Sequence, residues 1–458
     1  MFVATPINVF IRRYGELLYL FNQSNWTSVL LNISTVFDRL FSRHPTDIDY
    51  VAQEISNSTG FVTSGVRRDI MDVLAPLIRD GFLVCGNQVV FDNVEERINT
   101  KIADANFTFG VLDKSTRESD NAESGTDALM EYFKLHPTPF ELCIDLTQAC
   151  TARCVHCYVP GFNRVFLSKA FAVKAMREFK SMGGLKVKFT GGECMLHPDF
   201  VELLNEAAAN DLVISVLSNL SVCGNKEITA MRHCNVAVVQ CSLYGADAKI
   251  HEAVTCKSTF SATLEAIKRL REKNIPVRIH CPVIKQNIEG IDDVLELGRQ
   301  MGIRVSLDAS IMSRADHDNT NRKCELSDRQ LYEYLKKYED VVLVNDKCNS
   351  IDPESSVCEI GTSKICLAAT GEYYPCNGCY DYILGTCHST LEEVWRGDQI
   401  CRIRAIRWKD MKKCSRCENL PYCSVCPSRN FNATKSFTKP DPTICRMASF
   451  RHLITKEN

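Results

Sequence analysis

The segment Glu141-Leu-Cys-Ile-Asp-Leu-Thr-Gln-Ala-Cys150-Thr-Ala-Arg-Cys154-Val-His-Cys157-Tyr158 places three cysteines directly after a short apolar run. That run, ELCIDL, has the length and composition of a buried strand. Three thiolates at CxxxCxxC spacing can wrap one loop around three irons of a cubane cluster, leaving the fourth iron open. Zinc competes for the same thiols. A closed zinc site needs a fourth ligand, and His156, adjacent to Cys157, is poorly placed to be one.

The next apolar run, VKFT, ends in Gly191-Gly192-Glu193. Paired glycines let the backbone come close to a ligand, and the neighbouring carboxylate can hold an ammonium group. A plain strand-to-helix turn carries the same letters. Position adds meaning: one βα unit after the cysteines, both features belong to the same face of a parallel sheet.

Outward from this pair the pattern continues. LVISVLS, VAVVQCSL, VRIHCPV and IRVSLD read as further strands, and amphipathic helices such as SKAFAVKAMREFKSM and TFSATLEAIKRLREKN separate them. Six βα units imply an α/β fold, a partial barrel or open sheet over 139–335, with ligands at the C-terminal strand ends. A helical bridge, SDRQLYEYLKKYED, opens the interval to 357. From 358 to 458 the elements are short and cysteine is dense, as in a region that folds around metal.

Composition fits this division. A chain of 458 residues exceeds one ordinary core, so several domains are expected. Its net charge of -2 predicts no broad attraction to nucleic acid or anionic membranes. No apolar run is long enough to span a bilayer, and the N-terminus lacks signal-peptide character, so a cytoplasmic protein is expected. The 24 cysteines then point to metal ligation rather than disulfides. Cys85, Cys223, Cys234, Cys241, Cys256 and Cys281 are read as inert buried thiols, and Cys387 and Cys401 as spare ones.

Residues 1–95 read as a compact, winged-helix-like α+β domain. LLYLFN and TSVLLN are strands, DIDYVAQEIS is a helix, and Val66, Ile70, Val73, Leu74, Leu77 and Ile78 share one face of the next helix. A DNA-binding role lacks a basic recognition face. The interval 96–138, with the polar stretch Leu112–Asp127, reads as a linker.

CxxxCxxC followed by GGE resembles the radical S-adenosylmethionine (SAM) superfamily. That resemblance implies a [4Fe–4S] cluster on Cys150, Cys154 and Cys157 whose open iron chelates SAM. Gly191, Gly192 and Glu193 would meet the amino group and His156 would lie by the adenine. Ser218, Asn219, Ser242 and Arg278 would serve the ribose and carboxylate. Cys358, Gly371 and Cys376, then Cys414-x2-Cys417-x5-Cys423-x2-Cys426 and Cys445, resemble the SPASM domain, which holds two auxiliary [4Fe–4S] clusters. The resemblance assigns Cys414, Cys417, Cys423 and Cys445 to the distal cluster. Cys358, Cys376 and Cys426 fall to the proximal one, with Cys366 or Cys379 as its fourth ligand.

The front domain resembles the peptide-recognition domain of ribosomal peptide maturation systems, similar to the pyrroloquinoline-quinone peptide chaperone. Together these imply a maturase with SAM and three [4Fe–4S] clusters, working on a precursor peptide with a leader. A flavodoxin or ferredoxin would reduce it. A 5′-deoxyadenosyl radical would install a thioether, as in a sactisynthase. Carbon–carbon cross-linking, sulfatase-type protein maturation and a zinc-stapled binding module are the alternatives.

Overall fold

The computed structural model describes residues 1–86, 88–91, 100–103, 125–159, 161–338 and 352–457. Two compact units result, Met1–Tyr132 and Phe133–Asn458.

In the second unit six parallel strands run in chain order: β1 (Glu141–Thr147), β2 (Lys186–Gly191), β3 (Val213–Ser218), β4 (Val238–Ser242), β5 (Val277–Pro282) and β6 (Val305–Asp308). Alternation along β1 sorts its side chains between two environments. Leu142, Ile144 and Leu146 join Phe171, Met176 and Phe179 in the main core, while Cys143 packs with Cys366, Tyr374 and Cys379 on the other side. Phe179 and Phe189 are wholly buried, each worth roughly 1.5–3 kcal/mol relative to exposure.

The sheet does not stop at β1. Strand β7 (Lys364–Leu367) pairs parallel to β1, with Cys366 opposite Cys143. Strands β8 (Glu372–Tyr374) and β9 (Gly385–Thr386) continue it antiparallel, giving the order β6-β5-β4-β3-β2-β1-β7-β8-β9. The cysteine-rich region is therefore better anchored than its short elements suggested. Ile365, Leu367, Tyr373, Trp395, Ile400 and Met447 share the core of the six parallel strands.

The first unit has the strands expected at Leu17–Asn22 and Thr27–Asn32, in one antiparallel sheet with Val9–Tyr14. A second sheet joins Phe2–Ala4 to Thr46–Asp47 and Val84–Gly86. Helix Ile48–Thr59 starts where the Asp47 carboxylate accepts from the Asp49 amide at 3.0 Å. Helix Thr63–Arg79 buries Val66, Ile70, Leu74 and Leu77. Val73, expected on that face, is 41% exposed, since Met71 and Ile78 pack against the core from the other flank of the stripe and turn the buried face away from Val73.

Regular elements fall inside 96–138, the interval read as a linker. Thr100–Ala103 pairs with Gln88–Phe91, and Gly125–Leu135 is a helix. The start of that helix is tied down, with Tyr19 Oη 2.8 Å from Thr126 Oγ1. A Cβ on Gly125 would lie 2.8 Å from the backbone of Ser28 and Val29. Residues 96–99 and 104–124 of the linker and 339–351 of the bridge lie outside the described residues. Among the described residues no helix is long and apolar enough to cross a membrane.

Candidate functional site

The three-cysteine loop leaves the end of β1 and is pinned from two sides. Thr147 Oγ1 accepts from the Ala149 amide at 3.0 Å. Across the sheet, the amides of Arg153 and Val155 donate to the carbonyls of Thr255 and Val254. Asn321 Nδ2 donates to the His156 carbonyl at 3.1 Å. The loop is thus fixed by backbone contacts and leaves all three sulfurs half-buried.

Burial pushes the Cys150 thiol up to about 11 and Cys154 to about 12, and the nearby Cys157 sulfur adds to both. Three bare thiolates crowded this way repel one another. Bound iron would offset that repulsion and deprotonate them outright. The donor set therefore fits a cluster.

Gly191 and Gly192 have a steric reason to be glycine. The β1–β2 register shifts between Thr190 and Gly191. A Cβ on Gly191 (φ +122°) would stand 2.4 Å from the Thr147 carbonyl, and one on Gly192 2.3 Å from that of Ala149. The same approach lets the Gly192 amide donate to Thr147 at 2.7 Å and the Glu193 amide to Ala149 at 2.8 Å. The pair locks the β2 turn against the cysteine loop.

Glu193 is engaged within the protein. Its carboxylate is fully buried and engaged at both oxygens: Ser218 Oγ and the Asn219 amide each donate to it at 2.8 Å, and the Met195 amide at 3.1 Å. Placed so, Glu193 braces β2 against β3, and Ser218 is its partner rather than a free ribose contact. Asn219 continues the brace, its Nδ2 reaching Thr151 Oγ1 at 3.0 Å and Cys150 Sγ at 3.6 Å.

His156 lies beside Tyr244, Nε2 to Oη at 3.5 Å, while its buried Nδ1 has no hydrogen-bond partner among the described residues. Burial, with help from His280, holds its pKa down to about 4, so the ring is neutral. A neutral ring with an unpartnered nitrogen beside the loop is a place for a polar ligand group. Ser242 is half-buried at the end of β4 and bonds Tyr244. Arg278 is not brought to this end. It is exposed near the start of β5, whereas ligands gather where the strands finish. His280, two residues on along the same face, lines a cavity with Asp308 and Cys426, and the sequence reading did not single it out. A period-two reading from Arg278 would have found it.

In the C-terminal region the structure gathers thiols into two sets. Cys414, Cys417, Cys423 and Cys445 line one cavity of about 200 Å³. Burial pushes Cys423 up to about 12, and the other three thiols add to it. In the second set Cys376 and Cys426 lie near enough to Cys358 to push its thiol further up, and all three do the same to Cys379. Cys366 instead hydrogen-bonds with Cys143, its partner across the sheet, and donates to Asn377 Oδ1 at 3.2 Å. Among the described residues no three His, Cys, Asp or Glu side chains form a group that could hold a single metal ion. Cys387 and Cys401 are exposed, outside both sets. Cys256, expected to be buried, is exposed too, because it caps the helix Ala248–Thr255 at φ +54°.

Two cavities join the halves of this unit. One, about 220 Å³, lies between Gly191-Gly192 and the turn Ala368–Thr370, with Asp145 and Tyr380 in its wall. The other, about 310 Å³, runs from His280 and Asp308 to Cys426, Arg429 and Arg451.

Comparison with known proteins agrees with this layout. The radical SAM superfamily model matches residues 144–298, and the iron–sulfur cluster-binding SPASM model matches 358–418. The chain is 23% identical to the subtilosin biosynthesis protein AlbA of Bacillus subtilis, over 69% of this chain and 73% of AlbA. It is 22% identical to the AdoMet-dependent heme synthase of Methanosarcina barkeri, over 65% of this chain and 94% of that protein. The fold is similar to Streptococcus suis SuiB bound to its precursor peptide SuiA, with TM-score 0.62 and 18% identity, covering 96% of this chain and 99% of SuiB. The chain carries a radical SAM domain continued by a SPASM iron–sulfur domain, and it is a radical SAM enzyme.

Proposed function

We propose that this enzyme cross-links a ribosomally made precursor peptide, with a thioether as the preferred product, and that residues 1–95, within the first unit, dock the leader. The observation that carries the reading is the single sheet uniting the Cys150 loop with the SPASM strands, which sets a cavity between the SAM glycines and the thiol-rich region. Likeness to a peptide-bound fold over 96% of the chain, front unit included, supports a peptide substrate. The heme synthase match reaches only 65% of the chain.

When bound, SAM and the reduced cluster supply a carbon radical that takes one hydrogen atom from the substrate. The chain's own residues do the rest. Cys150, Cys154 and Cys157 would hold three irons. The carbonyls of the glycine turn would meet the SAM ammonium, since the Glu193 side chain is already engaged. Cys414, Cys417, Cys423 and Cys445 would hold one auxiliary [4Fe–4S] cluster. Cys358, Cys376, Cys426 and, by its neighbours, Cys379 would hold the other. A flavodoxin or ferredoxin would supply electrons. Docking at the front unit would raise the local concentration of the core peptide.

The test is anaerobic reaction of the reconstituted enzyme with a cysteine-bearing precursor peptide, with and without its leader, followed by tandem mass spectrometry. Each cross-link removes the mass of two hydrogen atoms, and fragmentation separates a thioether from a carbon–carbon bond. An unchanged mass with the full-length peptide would refute the proposal.

A further inference from the structure

We propose that Asp145 is the proton acceptor of the bond-forming step. The inference rests on the cross-linking reading above and adds a named group to it. Forming C–X from C–H and X–H, where X is sulfur or carbon, breaks two bonds to hydrogen. One hydrogen leaves as an atom, to the SAM-derived radical, giving 5′-deoxyadenosine. One proton and one electron remain to be removed. An oxidised auxiliary [4Fe–4S] cluster, which the C-terminal thiols would hold, would supply the acceptor for that electron. The proton needs a base inside the cavity.

Asp145 is placed for that. It lies on β1 before the cysteine loop, in the wall of the cavity that Gly191 and Gly192 share with the SPASM turn. Its carboxyl is 4% exposed. Tyr374 Oη donates to Oδ2 at 2.5 Å, and Tyr380 is a second phenol donor. Among the described residues no Lys, Arg or His forms an ion pair with it. Tyr158 faces it from the cysteine loop, Cys143 from its own strand, Cys366 from β7, and Glu372 shares the cavity.

A buried carboxylate without a cation is costly in a purely structural role. An amide or hydroxyl would anchor the two phenols without that cost. Burial pushes the Asp145 carboxyl up to about 6 while the phenols pull it back, which leaves it able to exchange a proton near neutral pH.

The experiment follows peptide modification by the full-length, cluster-loaded enzyme across pH. The wild-type rate should rise through an inflection near pH 6 as Asp145 loses its proton. Asp145→Asn should lower the rate at least ~100-fold, the lower range for a general base, and remove the inflection at unchanged iron content. Tyr374→Phe removes a donor that favours the carboxylate, so the inflection should move to higher pH. That shift decides the matter even where Asp145→Asn loses iron. An Asp145→Asn enzyme within about threefold of wild type, or a Tyr374→Phe profile that stays put, overturns the proposal alone. A wild-type enzyme that modifies no peptide overturns the cross-linking reading and this proposal with it.

Discussion

The side-chain amide of Asn219 stands 3.6 Å from the sulfur of Cys150, and its backbone amide donates to Glu193 at 2.8 Å. One residue at the end of β3 thus connects the glycine turn to the cluster loop. Hydrogen bonds to cluster sulfurs raise reduction potential. Asn219→Ala should therefore lower the potential of the SAM-cleaving cluster. A lost bond of about 1 kcal/mol corresponds to about 40 mV for one electron. EPR-monitored redox titration checks this, and an unchanged potential would show that the contact is only structural.

Gly192→Ala should damage that cluster selectively, because the added methyl meets the Ala149 carbonyl at 2.3 Å, one residue before Cys150. The expected result is loss of SAM cleavage and of about one-third of the iron, with the auxiliary clusters kept. Iron analysis and EPR of the variant test it. Full iron and normal cleavage would mean that the backbone yields there.

The fourth proximal ligand can be separated by single substitutions. Cys379 has the other three thiols as neighbours, whereas Cys366 faces Cys143. Cys379→Ser should perturb or lose one auxiliary cluster of about four irons, while Cys366→Ser should keep all of them. Mössbauer spectra of the pair would reverse the assignment if only Cys366→Ser changed.

Acid stability should report on His251. It is buried, with Nδ1 accepting from the Tyr244 amide at 3.3 Å, and burial holds its pKa down to about 4. The unfolded chain binds that proton more readily, near pH 6.5. Stability from this site is thus complete above about pH 6.5 and is lost as pH falls toward 4, on the order of 3 kcal/mol in all. His251→Gln should lower Tm at pH 8 and flatten its fall between pH 6.5 and 5. Parallel Tm–pH curves would contradict the assignment.

What the sequence revealed and what it hid divide along physical lines. The Cys150 loop and the glycine turn were legible because their chemistry needs fixed residues at short spacing. The six parallel strands were legible because each is a short apolar run. Long-range pairing was not. Nothing in KICL announces that Lys364–Leu367 will extend the sheet beside β1, since pairing partners leave no local mark. The bracing of Glu193 was hidden for a related reason: its partners Ser218 and Asn219 arrive from the next strand. Asp145 was read only as one letter of a buried strand. Its place in a cavity wall depends on Tyr374 and Tyr380, which follow more than two hundred residues later.

The central claim is that Cys150, Cys154 and Cys157 hold the cluster that cleaves SAM. The most direct measurement compares wild type with Cys150→Ala/Cys154→Ala/Cys157→Ala for iron and for 5′-deoxyadenosine formed under dithionite. Wild type should bind about twelve irons and release 5′-deoxyadenosine, and the triple variant should keep about two-thirds of the iron and release none. Continued 5′-deoxyadenosine formation by the triple variant would contradict the account.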